Sequence, residues 1–308
     1  MISLVIPVYN EVELLGALIP RVINVFESLG SDYEVIFVDD GSTDGSLQNL
    51  VEFRATNHHI KVITLSRNFG HQSALTAGLE YANGEYVALM DCDLQDPPEL
   101  LVEMYDKLKT GDYDVITGYR KERNERAGRK ILTKLFHRIF SRTSGLTEIE
   151  HTGHFSMMTR QALQALLSMK EKTRYLPGLR SFLGFRQGQV EYVRQERAAG
   201  DSKMKIGHLF KLAGDALFAF SKFPLRFCLY LGLFGIVLFL LAGIYVLVSK
   251  MLGWAPIGWS STMISIYFLG SIQLLFMGVL GEYIFRIYKE SQNRPLYFIK
   301  KIYDSVNE

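Results

Sequence analysis

Asp91 and Asp93 stand at a spacing that can do chemistry. They close an apolar run, Tyr86-Val87-Ala88-Leu89-Met90, and lead into Leu94, Gln95, Asp96, Pro97, Pro98 and Glu99. Such a run, bounded by Gly84 and Pro97, predicts a buried strand of a parallel sheet, so the carboxylates fall where it leaves the sheet. Open α/β sheets bind ligands at that edge. Alternation along an extended chain points Asp91 and Asp93 the same way and Cys92 elsewhere. Two hard oxygen donors facing one spot suit Mg2+ or Mn2+ holding a substrate diphosphate. Acidic residues also crowd strand ends merely to be hydrated, so the context decides. Pro97 and Pro98 fit the first turn of a helix, and Glu99 suits its positive end.

The elements that must position this pair recur through the first 200 residues or so. Residues 2–8 predict a strand turning at Pro7, with Tyr9, Asn10 and Glu11 at its tip and an amphipathic helix over 14–29. Residues 34–38 repeat the pattern and end in Asp39-Asp40-Gly41-Ser42-Thr43-Asp44-Gly45, where Ser42 or Thr43 can cap the next helix. A third strand over 61–65 precedes Arg67, Asn68, Phe69 and Gly70, which read as a surface turn, and a helix over 73–82 whose start His71 can cap. Strand, polar tip, helix is the rhythm of a parallel sheet, and a fifth strand is expected over 114–118 and a last one over 187–194. No Gly-x-Gly-x-x-Gly occurs, which weighs against a dinucleotide fold.

The chain has 308 residues, 48% hydrophobic, with a formal net charge of +2. That allows a large core and gives no bulk affinity for nucleic acid. Its cysteines are Cys92 and Cys228, one in the acidic loop and one in a lipid-like stretch, which predicts no disulfide and a reducing compartment. No signal peptide is expected ahead of the first strand. Residues 227–248 and 260–281 carry no formal charge and are each long enough to cross a bilayer core of about 30 Å. Their connecting loop carries only Lys250, whereas Lys222, Arg226, Arg286, Lys289, Arg294, Lys300 and Lys301 flank the outer ends. The bias places the first domain and both termini on the cytoplasmic side. Two amphipathic cationic segments, around 131–140 and 206–220, suit a headgroup layer.

The 86–99 segment resembles the metal-binding signature of GT-A glycosyltransferases. Its Asp93-Leu94-Gln95-Asp96-Pro97-Pro98-Glu99 form is similar to the polyprenyl-phosphate branch, the dolichol-phosphate mannose synthases and bactoprenol glucosyltransferases. Pro7-Val8-Tyr9-Asn10-Glu11, Val38-Asp39-Asp40-Gly41-Ser42, Arg67-Asn68-Phe69-Gly70 and Gly200-Asp201-Ser202-Lys203 fit the same pattern in order and spacing. The resemblance implies an α/β GT-A, Rossmann-like, mostly parallel domain over 1–202. It further implies a juxtamembrane helix over 203–225, a transmembrane hairpin over 226–285 and a cytosolic tail over 286–308. It implies that Pro7, Tyr9, Glu11, Asp39, Asp40, Asn68 and Asp91 contact the nucleotide-sugar, and that Asp91, Asp93 and Gln95 hold Mg2+ or Mn2+. Arg120 and Lys203 would meet phosphate charge, with Arg126, Arg129, Arg197, Ser202 and Lys203 around the acceptor phosphate. The family commonly has Asp where His151 and His154 stand, and one of those carboxylates is its usual general base; here His154 is expected to orient the acceptor phosphate instead, or to be a structural histidine.

The implied activity is inverting transfer of one hexose, with glucose from UDP-glucose the first choice, to undecaprenyl phosphate at a bacterial inner membrane. GDP-mannose and UDP-N-acetylhexosamine stay open as donors, and a homo-oligomer as the assembly. Two rival enzymes are a diacylglycerol or ceramide glycosyltransferase, whose hydroxyl acceptor needs a base, and a processive polysaccharide synthase, whose Gln-x-x-Arg-Trp pattern is absent. Outside catalysis, a donor-binding subunit with dead chemistry would account for the histidines.

Overall fold

A computed structural model describes residues 1–120, 152–172, 174–193, 223–252 and 258–304. The chain divides into two compact units, Met1–Lys205 with Pro295–Glu308, and Ile206–Arg294. The first holds an eight-stranded sheet in the order β7-β5-β6-β4-β1-β2-β3-β8. Its strands are β1 (Ile2–Val8), β2 (Tyr33–Asp39), β3 (Ile60–Leu65), β4 (Tyr86–Leu89), β5 (Val115–Arg120), β6 (Thr152–Thr159), β7 (Gln187–Tyr192) and β8 (Ile299–Tyr303). β1, β2, β3 and β4 run parallel, as do β5 and β7, while β6 and β8 run against their neighbours. The helices of this unit are α1 (Val12–Leu29), α2 (Ser46–Thr56), α3 (His71–Glu80), α4 (Leu100–Lys109), α5 (Arg160–Ser168) and α6 (Leu176–Phe182).

The central strands are apolar on both faces because helices cover both; every residue of β1 is buried. α1 supplies Leu14, Leu15, Leu18, Ile19, Val22, Val25 and Phe26 to the core at helical spacing. Pro7 is tolerated within β1 because the pairing with β4 ends at Val5 and Leu89, so its missing N–H falls past that ladder. Pro97 and Pro98 precede α4 rather than open it; their carbonyls accept from the Leu100 and Leu101 amides. β6 enters between β4 and β5 with Leu89 opposite Ser156 and Tyr86 opposite Thr159. Neither β6 nor β8 is among the expected strands.

The second unit contains α7 (Phe223–Met251) and α8 (Trp259–Ser291). Two spans were expected over 227–248 and 260–281, but only one stretch of the described residues, Ser265–Ser291, is long and apolar enough to cross a membrane. The apolar part of α7, Tyr230–Tyr245, is shorter. The tail expected over 286–308 also differs: α8 runs to Ser291, and 299–303 becomes the edge strand beside β3. The amphipathic segments around 131–140 and 206–220 lie outside the described residues.

Candidate active site

The rim of the sheet is built by three loops that hold one another. Backbone amides at the start of α1 are capped from the β2–α2 loop: Glu11 N–H donates to Ser46 Oγ (3.0 Å) and Val12 N–H to Asp44 Oδ2 (3.1 Å). Asn10, in the left-handed region at φ 54°, returns the contact by accepting from the Thr43 amide at 2.8 Å. Asp39 is buried and accepts from the Ser42 amide and the Thr64 hydroxyl. Asp40 reaches the third loop, accepting from Phe69 N–H (2.7 Å) and Gly70 N–H (2.9 Å). Burial raises its pKa above the ordinary value, against the pull of those two amides. Gly41 lies so close to this loop that a Cβ there would sit 2.8 Å from the Arg67 carbonyl carbon. Of the residues expected at the nucleotide-sugar, Tyr9 and Asn68 are exposed at the rim and Pro7 is buried in β1.

Beyond β4 burial alternates. Cys92, Leu94 and Asp96 are buried, while Asp91, Asp93 and Gln95, the three expected ligands, are partly open. Leu94 holds φ 57°, a costly conformation for a side chain, and its own burial in the core fixes it there. The Gln95 amide donates to Asp93 Oδ1 at 3.1 Å. Two carboxylates and an amide oxygen are hard donors of the kind Mg2+ and Mn2+ take, with room in such a set for diphosphate oxygens.

His71 does more than start α3: its Nε2 lies 3.1 Å from Asp91 Oδ1. Burial would raise the Asp91 carboxyl, but the hydrogen bond and charge of His71 outweigh it and hold the group below the usual carboxylate range. Carrying the β4–β6 register two residues past Leu89 and Ser156 sets His154 opposite Asp91. The His71 and His154 rings are 4.8 Å apart. His154 also meets Gln72, Nε2 to Nε2, at 3.2 Å, while Gln72 Oε1 accepts from the Leu176 amide at 3.0 Å. Burial pushes His154 down to about 3, so the ring is neutral at physiological pH.

Arg120, the last residue of β5, is held rather than loose. Its Nε donates to the Tyr192 hydroxyl (2.9 Å) and its guanidinium lies 3.5 Å from Asp96, to which Tyr192 also donates. A Cβ on Gly153 would stand 2.5 Å from the Arg120 guanidinium, so only glycine lets the arginine lie there. Arg180 donates to the Gly153 carbonyl from the other direction at 3.1 Å.

The chain matches the family model described as glycosyl transferase family 2 over residues 3–167. It is 40% identical to the uncharacterized glycosyltransferase YkcC of Bacillus subtilis over 99% of this chain and 95% of that one. It is 36% identical to the bactoprenol glucosyl transferase of Shigella phage SfV over 97% and 98%. The chain belongs to glycosyl transferase family 2. A solved structure of glucosyl-3-phosphoglycerate synthase from Mycobacterium tuberculosis, in complex with Mn2+, uridine diphosphate and phosphoglyceric acid, superposes with a TM-score of 0.50 at 20% identity, covering 71% of this chain and 76% of that one. At that identity the likeness establishes the GT-A-like fold.

In this glycosyltransferase the structure brings together Asp91, Arg120 and His154, all expected, with Asp93 and Gln95 beside them along the chain, and adds His71, Gln72, Asp96, Tyr192 and Arg180, none of which was expected as a site residue. The missed residues lie on α3, α6 and β7 or after β4; only Asp96 stands within a signature quoted from the sequence, and the fold gathers the others. Arg126, Arg129, His151, Arg197, Ser202 and Lys203 fall outside the described residues.

Proposed function

We propose that this enzyme transfers one hexose, with inversion, from a nucleotide-sugar to a polyprenyl phosphate at a membrane surface, with UDP-glucose and undecaprenyl phosphate as its substrates. The observation that carries the reading is the Asp91, Asp93 and Gln95 rim with His154 opposite Asp91, a histidine that burial makes a poor base where a hydroxyl acceptor would need a good one. A phosphate monoester, with its second pKa near 6, is largely dianionic at neutral pH and attacks without deprotonation. Near full-length similarity to a bactoprenol glucosyl transferase supports the same acceptor.

An acceptor oxygen attacks the anomeric carbon in line, and the bond to the nucleotide diphosphate breaks with its electrons on the leaving phosphate. Asp91, Asp93 and Gln95 would hold Mg2+ or Mn2+, which when bound neutralises charge on that diphosphate. Arg120, oriented by Asp96 and Tyr192, adds a fixed positive charge. Pro7, Tyr9, Glu11, Asp39, Asp40 and Asn68 are proposed around the nucleotide, and Arg126, Arg129, Arg197, Ser202 and Lys203 around the acceptor phosphate.

Membrane attachment through two spans, with the domain and both termini cytoplasmic in a bacterial inner membrane, belongs to the same proposal. None of the apolar window of α8 is buried within the protein, so a core helix of a soluble fold does not account for it. Because β8 returns to the sheet of the first unit, the segment between must cross a membrane an even number of times. One crossing by α8 therefore asks for a second by α7.

Asp93→Asn is the direct test of the rim. Loss of nearly all transfer to undecaprenyl phosphate, with the protein still folded, is expected; wild-type turnover would exclude the metal-binding assignment.

A further inference from the structure

Arg180, on α6, is 3% exposed, and among the described residues no carboxylate pairs with it. Its hydrogen bond is to a backbone carbonyl, that of Gly153. A buried guanidinium without a counter-ion is costly, and the cost falls when an anion arrives. Burial lowers its pKa to about 10, far above neutrality, so the charge stays.

His154, which follows Gly153 along β6, has an unmet donor. The Leu176 N–H can only donate, so Gln72 must turn Oε1 toward it and its NH2 toward His154. His154 Nε2 therefore accepts, and the ring proton sits on Nδ1, which is buried with no hydrogen-bond partner. The pair consists of donors alone. A group carrying acceptor oxygens and negative charge would satisfy both donors, and His71 links His154 to Asp91.

We propose that Arg180 and His154 Nδ1–H together seat an oxyanion, the phosphate monoester of the acceptor, which makes Arg180 a specificity residue for phosphate over hydroxyl acceptors. This deepens the proposed function and rests on it. A phosphate there receives a charge-assisted bond from Arg180 and a neutral one from His154, and His154, tied through Nε2 to Gln72, orients without taking a proton. A donor diphosphate has the same chemistry, and the kinetic arms below separate the two.

The full chain in detergent is assayed with saturating Mg2+ while donor and undecaprenyl phosphate are varied in turn. Arg180→Lys and Arg180→Gln are expected to raise the acceptor KM by about tenfold or more, with donor KM within about twofold. His154→Asp removes the Nδ1–H and sets a carboxylate beside Arg180, so it should raise the acceptor KM. Inorganic phosphate should raise the Tm of the wild type, and by less in Arg180→Lys, a readout that needs no lipid substrate. An unchanged acceptor KM in Arg180→Lys and His154→Asp, a donor KM that moves instead, or equal phosphate protection in wild type and Arg180→Lys would each overturn the assignment. A wild-type enzyme that transfers to no polyprenyl phosphate sinks the proposed function itself, while the phosphate-protection arm still judges the anion seat.

Discussion

A single atom decides the position of Arg120. Gly153→Ala would place a methyl 2.5 Å from its guanidinium, which must then shift from its place beside Tyr192 and Asp96. We expect kcat to fall at least tenfold with the fold intact, since losing one well-aimed charge commonly costs that much; an active Gly153→Ala enzyme would remove Arg120 from the chemistry. His154 sets a pH dependence of stability. The ring stays neutral in the fold down to about 3 but takes a proton near 6.5 once unfolded, so the unfolded chain gains as pH drops below about 6.5. His154→Gln removes that penalty, and its Tm should fall less between about pH 7 and pH 5 than the wild type's. A steeper fall would contradict the buried neutral ring. At this scale the carboxylates were legible because a run of apolar residues ended in them. Arg180 and Gln72 were not, since their roles depend on what α6 and β6 bring beside them.

Elements explain why three loops behave as one. Asp40 accepts two backbone amides of the Arg67–Gly70 loop, and an asparagine offers one acceptor oxygen where two are needed. Asp40→Asn should destabilise the protein by about 1–3 kcal/mol and raise donor KM, measured by thermal melts and kinetics; unchanged values for both would show that the loop is held otherwise. Six strands could be read from apolar runs bounded by turn residues. β6 hides because Thr152, Gly153, His154 and Ser156 interrupt its apolar positions, although Phe155, Met157 and Met158 are buried. β8 hides for a different reason. Ile299-Lys300-Lys301-Ile302-Tyr303 carries the lysines that suit an edge strand, and the same lysines read as a charged tail.

Across the whole molecule, the chain leaves its sheet, runs through α7 and α8, and comes back as β8. Lys61 joins that return through Asp304 (3.1 Å) and Glu34 (3.4 Å), and Phe298 stacks at a tilt on Phe69 of the third loop. Ending the chain after Arg294 should therefore expose the β3 edge and lower both Tm and donor affinity; full activity without 295–308 would make the strand dispensable. The α/β domain was legible from sequence as six strands and their helices, but not the inserted strand β6 or the returning strand β8. The apolar stretches were legible as composition, but of the two expected spans only Ser265–Ser291 is long and apolar enough among the described residues, and the proposed second crossing rests on the β8 pairing. The proposed transfer of sugar onto a lipid phosphate at the Asp91 rim is open to a single assay, purified enzyme with radiolabelled UDP-glucose and undecaprenyl phosphate. Label is expected in a lipid that mild acid cleaves, abolished by a chelator and restored by Mg2+ or Mn2+; label in an acid-stable lipid, or transfer indifferent to the chelator, would overturn it.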